Sequence, residues 1–207
     1  ISVRAPKDIA LDVTKNYYSS LFFFEDSDNE CFRNKKPEVL RMILRSYARH
    51  ISTEAPITTI IEDVRQSNER AMDTKTFNDY LEALRDLFIV EDVSAWNPNI
   101  RSKTSIRSTP TRHFVDTSIA CRALAISPND LKNDMKSFGL FFEDFAVRDL
   151  SVYASTLGGE VRHYRDNAGL ECDAVVHLED GRWGAIEIKI GGEELVEHGA
   201  VSLKLLE

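Results

Sequence analysis

The chain has 207 residues, 43% of them hydrophobic and 29% charged, which suits one or two globular domains with a sizeable core. Its apolar runs are too short to cross a bilayer, and Cys31, Cys121 and Cys172 fit neither a disulfide framework nor a zinc spacing. The net charge of −8 argues against tight, unaided binding to nucleic acid, because Lys and Arg must neutralise phosphates.

The first residues, Ile1 to Pro6, lack the apolar core of a signal peptide, so the expected location is cytoplasmic, with no membrane contact. Residues 8–24 predict a helix closing on an aromatic cluster, followed by a polar break at 26–30. Pro37 stands at the first turn of a helix running to about Arg49, with Val39, Leu40, Ile43, Leu44 and Tyr47 inward. A second helix begins near Pro56 and buries Ile57, Ile60, Ile61 and Val64. Asp73 caps a third, whose inward set is Phe77, Tyr80, Leu81, Leu84 and Leu87.

Residues 88–96 then predict a strand and 112–116 its return, with Trp96 expected in the core. Three short helices followed by a hairpin is the winged-helix plan. Its third helix is poorly suited to a DNA groove, since Asp73, Asp79, Glu82 and Asp86 outnumber Lys75 and Arg85. The wing differs. From Asn97 to His113 it carries Arg101, Lys103, Arg107 and Arg112, several hydroxyl residues and no acid. A basic loop is often merely solvated, but in so acidic a chain this one is the candidate nucleic-acid contact.

Ala120–Ile126 predicts a helical turn, and Ser127 followed by Pro128 predicts a capped helix to about 136. The helix over 138–150 stops before Gly158 and Gly159. Phe138, Phe141, Phe142, Phe145 and Val152 form one apolar stripe, and Glu143 lies on a second with Val147, Leu150 and Ala154. Asp144 and Arg148 are at pairing distance on the polar face. An acid in apolar company is a candidate functional group, although a rim Glu bonded to an Arg reads the same way.

Strands are predicted over 160–165, 171–178 and 182–190, with a helix from Glu193. A three-residue loop, Glu179 to Gly181, suits a type I turn closed by a left-handed Gly. That register sets Leu178 against Arg182 and Asp173 against Glu187, so Asp173, Glu187 and Lys189 project from one face. Two acids and a lysine on one face call for a partner such as a divalent cation. A wetted face with cross-strand pairs gives the same alternation, and a two-residue Asp-Gly turn would put Asp173 on the opposite face from Glu187. His163, Tyr164 and His177 are isolated on their strands and carry no catalytic assignment.

A helix with Glu143, three strands bearing Asp173 and Glu187-x-Lys189, and a closing helix together resemble the core of the PD-(D/E)xK, or restriction-endonuclease-like, nuclease superfamily. The resemblance implies that Glu143, Asp173 and Glu187 bind Mg²⁺ or Mn²⁺, with Lys189 orienting the attacking water and Ile188 lending a carbonyl. A second resemblance covers nearly the whole chain. It rests on the runs Asp79–Asp92, Thr111–Ser118, Gly139–Asp144, His163–Asp166 and Glu171–Asp173. Together these are similar to the C-terminal half of prokaryotic AAA+-like ATP-binding proteins, whose distal region is a widespread domain of unknown function.

That resemblance implies an α/β chain with three parts: a helical linker from an upstream ATPase domain (1–29), a winged-helix domain (30–118), and connecting helices with a nuclease-like domain (119–207). No phosphate-binding loop G-x-x-x-x-G-K-[ST] is present, so ATP enters only through an upstream domain, and the chain reads as part of a longer protein. The expected function is Mg²⁺-dependent hydrolysis of DNA phosphodiesters. The alternatives are a docking or homo-oligomerisation module for the ATPase and a DNA-binding regulator acting through the wing.

Overall fold

The computed structural model describes residues 6–22, 35–68, 72–98, 109–166 and 168–206. Among these it is a mixed α/β chain with eight helices and two small antiparallel sheets. In chain order the elements are α1 (Lys7–Ser20), α2 (Pro37–Arg49), α3 (Ile57–Asn68), α4 (Thr74–Asp86), β1 (Val90–Val93) and β2 (Thr111–Phe114). There follow α5 (Thr117–Ala123), α6 (Pro128–Asn133), α7 (Met135–Thr156), β3 (Gly159–Arg165), β4 (Glu171–Leu178), β5 (Trp183–Ile186) and α8 (Glu193–Lys204).

The helical periodicity of the first half is realised closely. Leu40, Ile43, Leu44 and Tyr47 of α2 are buried with Ile60, Ile61 and Val64 of α3 and Phe77, Leu81 and Leu84 of α4. Each such side chain contributes about 1.5–3 kcal/mol by leaving water. Pro37 opens α2, and the Asp73 carboxylate caps α4 by accepting from Thr76 N at 2.7 Å. α1 packs on α5, and Phe22 beyond it enters the same core, edge-on to Tyr18 with the Arg41 guanidinium 4.0 Å from its ring centre. The segment read from sequence as a linker therefore also contributes to this core.

β1 and β2 pair with Val90 opposite Phe114 and Asp92 opposite Arg112. Arg112 corrects the expectation of an exposed phosphate contact. Its side chain is only 3% exposed, with Nε donating to Ala55 O at 3.0 Å and Nη1 to Asp92 Oδ2 at 2.8 Å. Asp92 also accepts from Tyr47 Oη and from Arg85, so one carboxylate ties α2, α4 and both strands. The other three basic residues of the predicted wing, Arg101, Lys103 and Arg107, lie outside the described residues.

α7 runs longer than predicted, because Asp134 starts it by capping Ser137 N at 3.1 Å and α6 ends earlier, at Asn133. Its faces also differ from the predicted ones. Phe141, Asp144, Val147 and Ala154 are buried, whereas Phe142, Phe145 and Val152 are exposed. Asp144 is not on a polar face with Arg148, which pairs with Asp149 at 2.7 Å. Instead Asp144 is 0% exposed and accepts from Phe114 N at 2.8 Å, Thr117 Oγ1 at 2.6 Å and the His113 ring at 3.1 Å.

β3, β4 and β5 form one antiparallel sheet in that order. α7 packs on β3 and β4, and α8 packs on β4. Beyond β1 the chain meets this sheet: His163 N donates to Ser94 O at 3.0 Å, and Trp96 N donates to His163 O at 2.6 Å. Ala95 and His163 thus make a parallel bridge, and Trp96 is buried against Tyr164 and Trp183.

Asp144→Ala should strip three donors of their acceptor at once. We expect a loss of on the order of 3 kcal/mol in unfolding free energy, read from the urea midpoint. Asp149→Ala, on the exposed side of the same helix, should change it by less than about 0.5 kcal/mol.

Candidate active site

The β4–β5 turn has the predicted form. Gly181 N donates to Leu178 O at 3.0 Å, Leu178 N to Arg182 O at 2.8 Å, and Gly181 sits at φ +86°, where a side chain would be strained. The ladder runs His177↔Trp183 to Ala174↔Ile186, and one further step sets Asp173 opposite Glu187. β5 ends at Ile186 rather than at 190, because a side chain takes over the pairing: Ile188 N donates to Asp173 Oδ2 at 2.7 Å.

A bulge on the other side of β4 helps to place Asp173. Between the pairs Arg162↔Val175 and Tyr164↔Cys172, the single residue His163 faces two, Asp173 and Ala174. Bulges of this kind bend a strand and re-aim its side chains. Neither the bulge nor the role of His163 opposite it was read from the sequence, since bulges leave no fixed residue signature.

Asp173, Glu187 and Lys189 converge. Lys189 Nζ lies 3.2 Å from Asp173 Oδ2 and 3.4 Å from Glu187 Oε2, and Asp173 N is 3.4 Å from the same Glu187 oxygen. Both acids are largely buried, and Lys189 is partly so. α8 closes over them at Gly199, where a Cβ would come 3.3 Å from Glu187 Cβ, so a larger residue would press on this side chain. Glu143 of α7, partly buried, lines a cavity of about 290 Å³ together with Asp173 and Lys189. The opposite wall comes from the first half of the chain, through Ser52–Glu54 and Thr111. Ser52 has φ +54° and is held there by donating its N–H to Arg112 O at 2.7 Å and its hydroxyl to Leu140 O at 2.9 Å.

The electrostatics follow from this crowding. Burial, with the charge of Asp173 next, pushes the Glu143 carboxyl up to about 9, Lys189 opposing and Glu187 adding to the shift. Burial and the hydrogen-bonded neighbour Asp173 raise Glu187 to about 7 against the pull of Lys189. Burial alone would lower the Lys189 ammonium, but Asp173 and Glu187 outweigh it and hold the group above its usual value. Near pH 7 the site therefore holds a protonated Glu143, an ammonium, and less than its full complement of carboxylate charge.

Among the described residues, no three His, Cys, Asp or Glu side chains converge closely enough to enclose a metal ion. The donor set still fits Mg²⁺ or Mn²⁺. Such ions take carboxylate oxygens, often only one or two, and complete their shell with water and substrate phosphate. Asp173 and Glu187 would be those ligands, with Glu143 at the edge of the shell. Of the four acid and lysine positions named from sequence, the structure brings Asp173, Glu187 and Lys189 into direct contact and sets Glu143 beside them on the same cavity.

A carboxyl held at about 9 in the folded chain and at 4.5 otherwise binds its proton more tightly when folded. Its effect is absent below about 4.5, and stability falls as pH rises through that window. In metal-free buffer, Glu143→Gln should therefore flatten the decline and gain on the order of 1–2 kcal/mol at about pH 9 while changing little at about pH 4. Urea titrations across that range measure it, and equal gains at both ends would contradict the assignment.

Comparison with known families places two matches along the chain. Residues 10–130 match the domain of unknown function DUF8612, and residues 138–203 match the domain of unknown function DUF4143. The first runs from within α1 to the middle of α6, and the second contains Glu143, Asp173, Glu187 and Lys189. No curated protein and no solved structure matches the chain. Since the first match takes in more than half of its residues, the chain belongs to the DUF8612 family, with a DUF4143 region following in the same polypeptide.

Proposed function

We propose that the chain hydrolyses phosphodiesters of DNA with the help of Mg²⁺ or Mn²⁺, at the cavity between its two halves. The observation that carries this reading is the contact of Lys189 with both Asp173 and Glu187 beside Glu143, in an accessible cavity. When bound, the ion would supply polarisation of the scissile phosphate and a lowered pKa for a water molecule. Asp173 and Glu187 would hold it. Lys189 would orient the attacking water through its N–H donors, and the Ile188 N–H keeps Asp173 from rotating away. The proton on Glu143 reduces the repulsion that an approaching phosphate would otherwise meet. The three helices and two-stranded sheet of the first half would act as a winged-helix platform, and an attached AAA+-like ATPase would strengthen the weak grip that so acidic a chain has on DNA.

One observation favours a second reading. Lys189 already neutralises Asp173 and Glu187, so the cluster can exist as a closed ion-pair network within a docking or oligomerisation module.

A plasmid-nicking assay in Mg²⁺ or Mn²⁺ separates the two. Asp173→Asn should lower cleavage by at least ~10²-fold and weaken Mn²⁺ binding measured calorimetrically. Lys189→Ala should lower cleavage comparably while retaining Mn²⁺ binding. A wild-type chain without metal-dependent cleavage of duplex or single-stranded DNA would leave the docking reading.

A further inference from the structure

Only two cations stand among the described residues lining the cavity: Lys189, which is engaged with Asp173 and Glu187, and Arg165. Arg165 closes β3, and its side chain is 50% exposed. Its Nη1 lies 3.3 Å from Glu171 Oε2, its cross-strand neighbour, and 3.8 Å from Glu54 Oε2 on the loop between α2 and α3. Both contacts are longer than a good charge-assisted hydrogen bond, and the guanidinium is half exposed. Pairs of that kind hold by about 0–1 kcal/mol, so the guanidinium can change partners at little cost. A phosphate offers it more, because two oxygens match the planar N–H fork.

We propose that Arg165 is the phosphate-binding residue of this cavity, held by Glu54 and Glu171 in the free protein and transferred to a phosphate of the entering strand. The assignment rests on reading the cavity as a phosphodiester site. It gives the two acids a role that the hydrolytic cluster does not use: they hold the guanidinium in the cavity lining, between the two halves of the chain. Because Glu54 belongs to the first half of the chain and Glu171 to the second, occupancy of the cavity would loosen one ion pair that crosses between them.

The test is fluorescence anisotropy of a short fluorescein-labelled single-stranded oligodeoxynucleotide with the 207-residue chain, Ca²⁺ replacing Mg²⁺. Arg165→Ala should weaken binding about 10-fold and reduce the salt slope by about 1, with Arg165→Lys intermediate. Glu54→Gln should tighten binding by about 2- to 5-fold, because it frees the guanidinium. A purely structural clip predicts otherwise: Glu54→Gln would lower the melting temperature and leave affinity unchanged, and that result overturns the proposal. So does an Arg165→Ala variant with wild-type affinity and salt slope, or a wild-type chain that binds no oligonucleotide.

Competition by inorganic phosphate should displace the oligonucleotide in the wild type and lose its effect in Arg165→Ala; displacement unchanged in the variant counts against the proposal. Wild-type binding that depends on Arg165 without any cleavage would sustain this site and remove the hydrolytic reading. Cleavage by Arg165→Ala with the wild-type KM would do the reverse.

Discussion

The buried carboxylate of Asp144 holds the two halves of the chain in register. It is withdrawn from solvent entirely and satisfied by a backbone N–H of β2, a hydroxyl of α5 and the ring of His113. An acid so placed is tolerable only with such partners, and its loss would leave them without an acceptor. The next residue towards the N-terminus, Glu143, points about 100° away around the helix, towards the cavity. One turn of α7 thus performs both tasks: Asp144 anchors the helix to the first half, and that anchor sets where Glu143 stands relative to Asp173 and Lys189.

Local order accounts for what the sequence made legible. Inward sets such as Leu40, Ile43, Leu44 and Tyr47 follow from helical spacing, and the Asp73 and Ser127 caps from chemistry within three residues. The meeting of Asp173 with Glu187 follows from loop length and the left-handed Gly181. Apart from the local cap at Asp134, which splits α6 from α7, the misreadings are of partners distant in sequence. Asp144 read as a surface residue because Arg148 stood one turn away, whereas its true partners are 27 to 31 residues back. Arg112 read as part of a basic loop because nothing nearby revealed that Asp92, across the strand pair, would bury it. The exposed Phe142 and Phe145 show the same limit, since periodicity finds an apolar stripe but not what it faces.

The net charge of −8 overstates how hostile the cavity is to anions. Burial converts part of the acid content into neutral carboxyls, as at Glu143 and to a lesser degree Glu187, while Asp173 first and Glu187 next keep Lys189 charged. The local balance at the cavity is therefore set by desolvation and proximity. Along the outer face of α4, by contrast, Asp79, Glu82 and Asp86 are exposed and impose the chain's general character.

The parallel bridge at Ala95 and His163 has a consequence for how the molecule comes apart. Its two hydrogen bonds link a segment matched by one family to a strand matched by the other, directly opposite the bulge that places Asp173. The two matched stretches are thus separable in sequence but joined in the structure by backbone hydrogen bonds. Local opening of the strand edge at Trp96 would release His163 and slacken the bulge, so amide protons at these two positions should exchange together. Without the Ala95 segment, this edge of the sheet would lose the pairing that His163 has here.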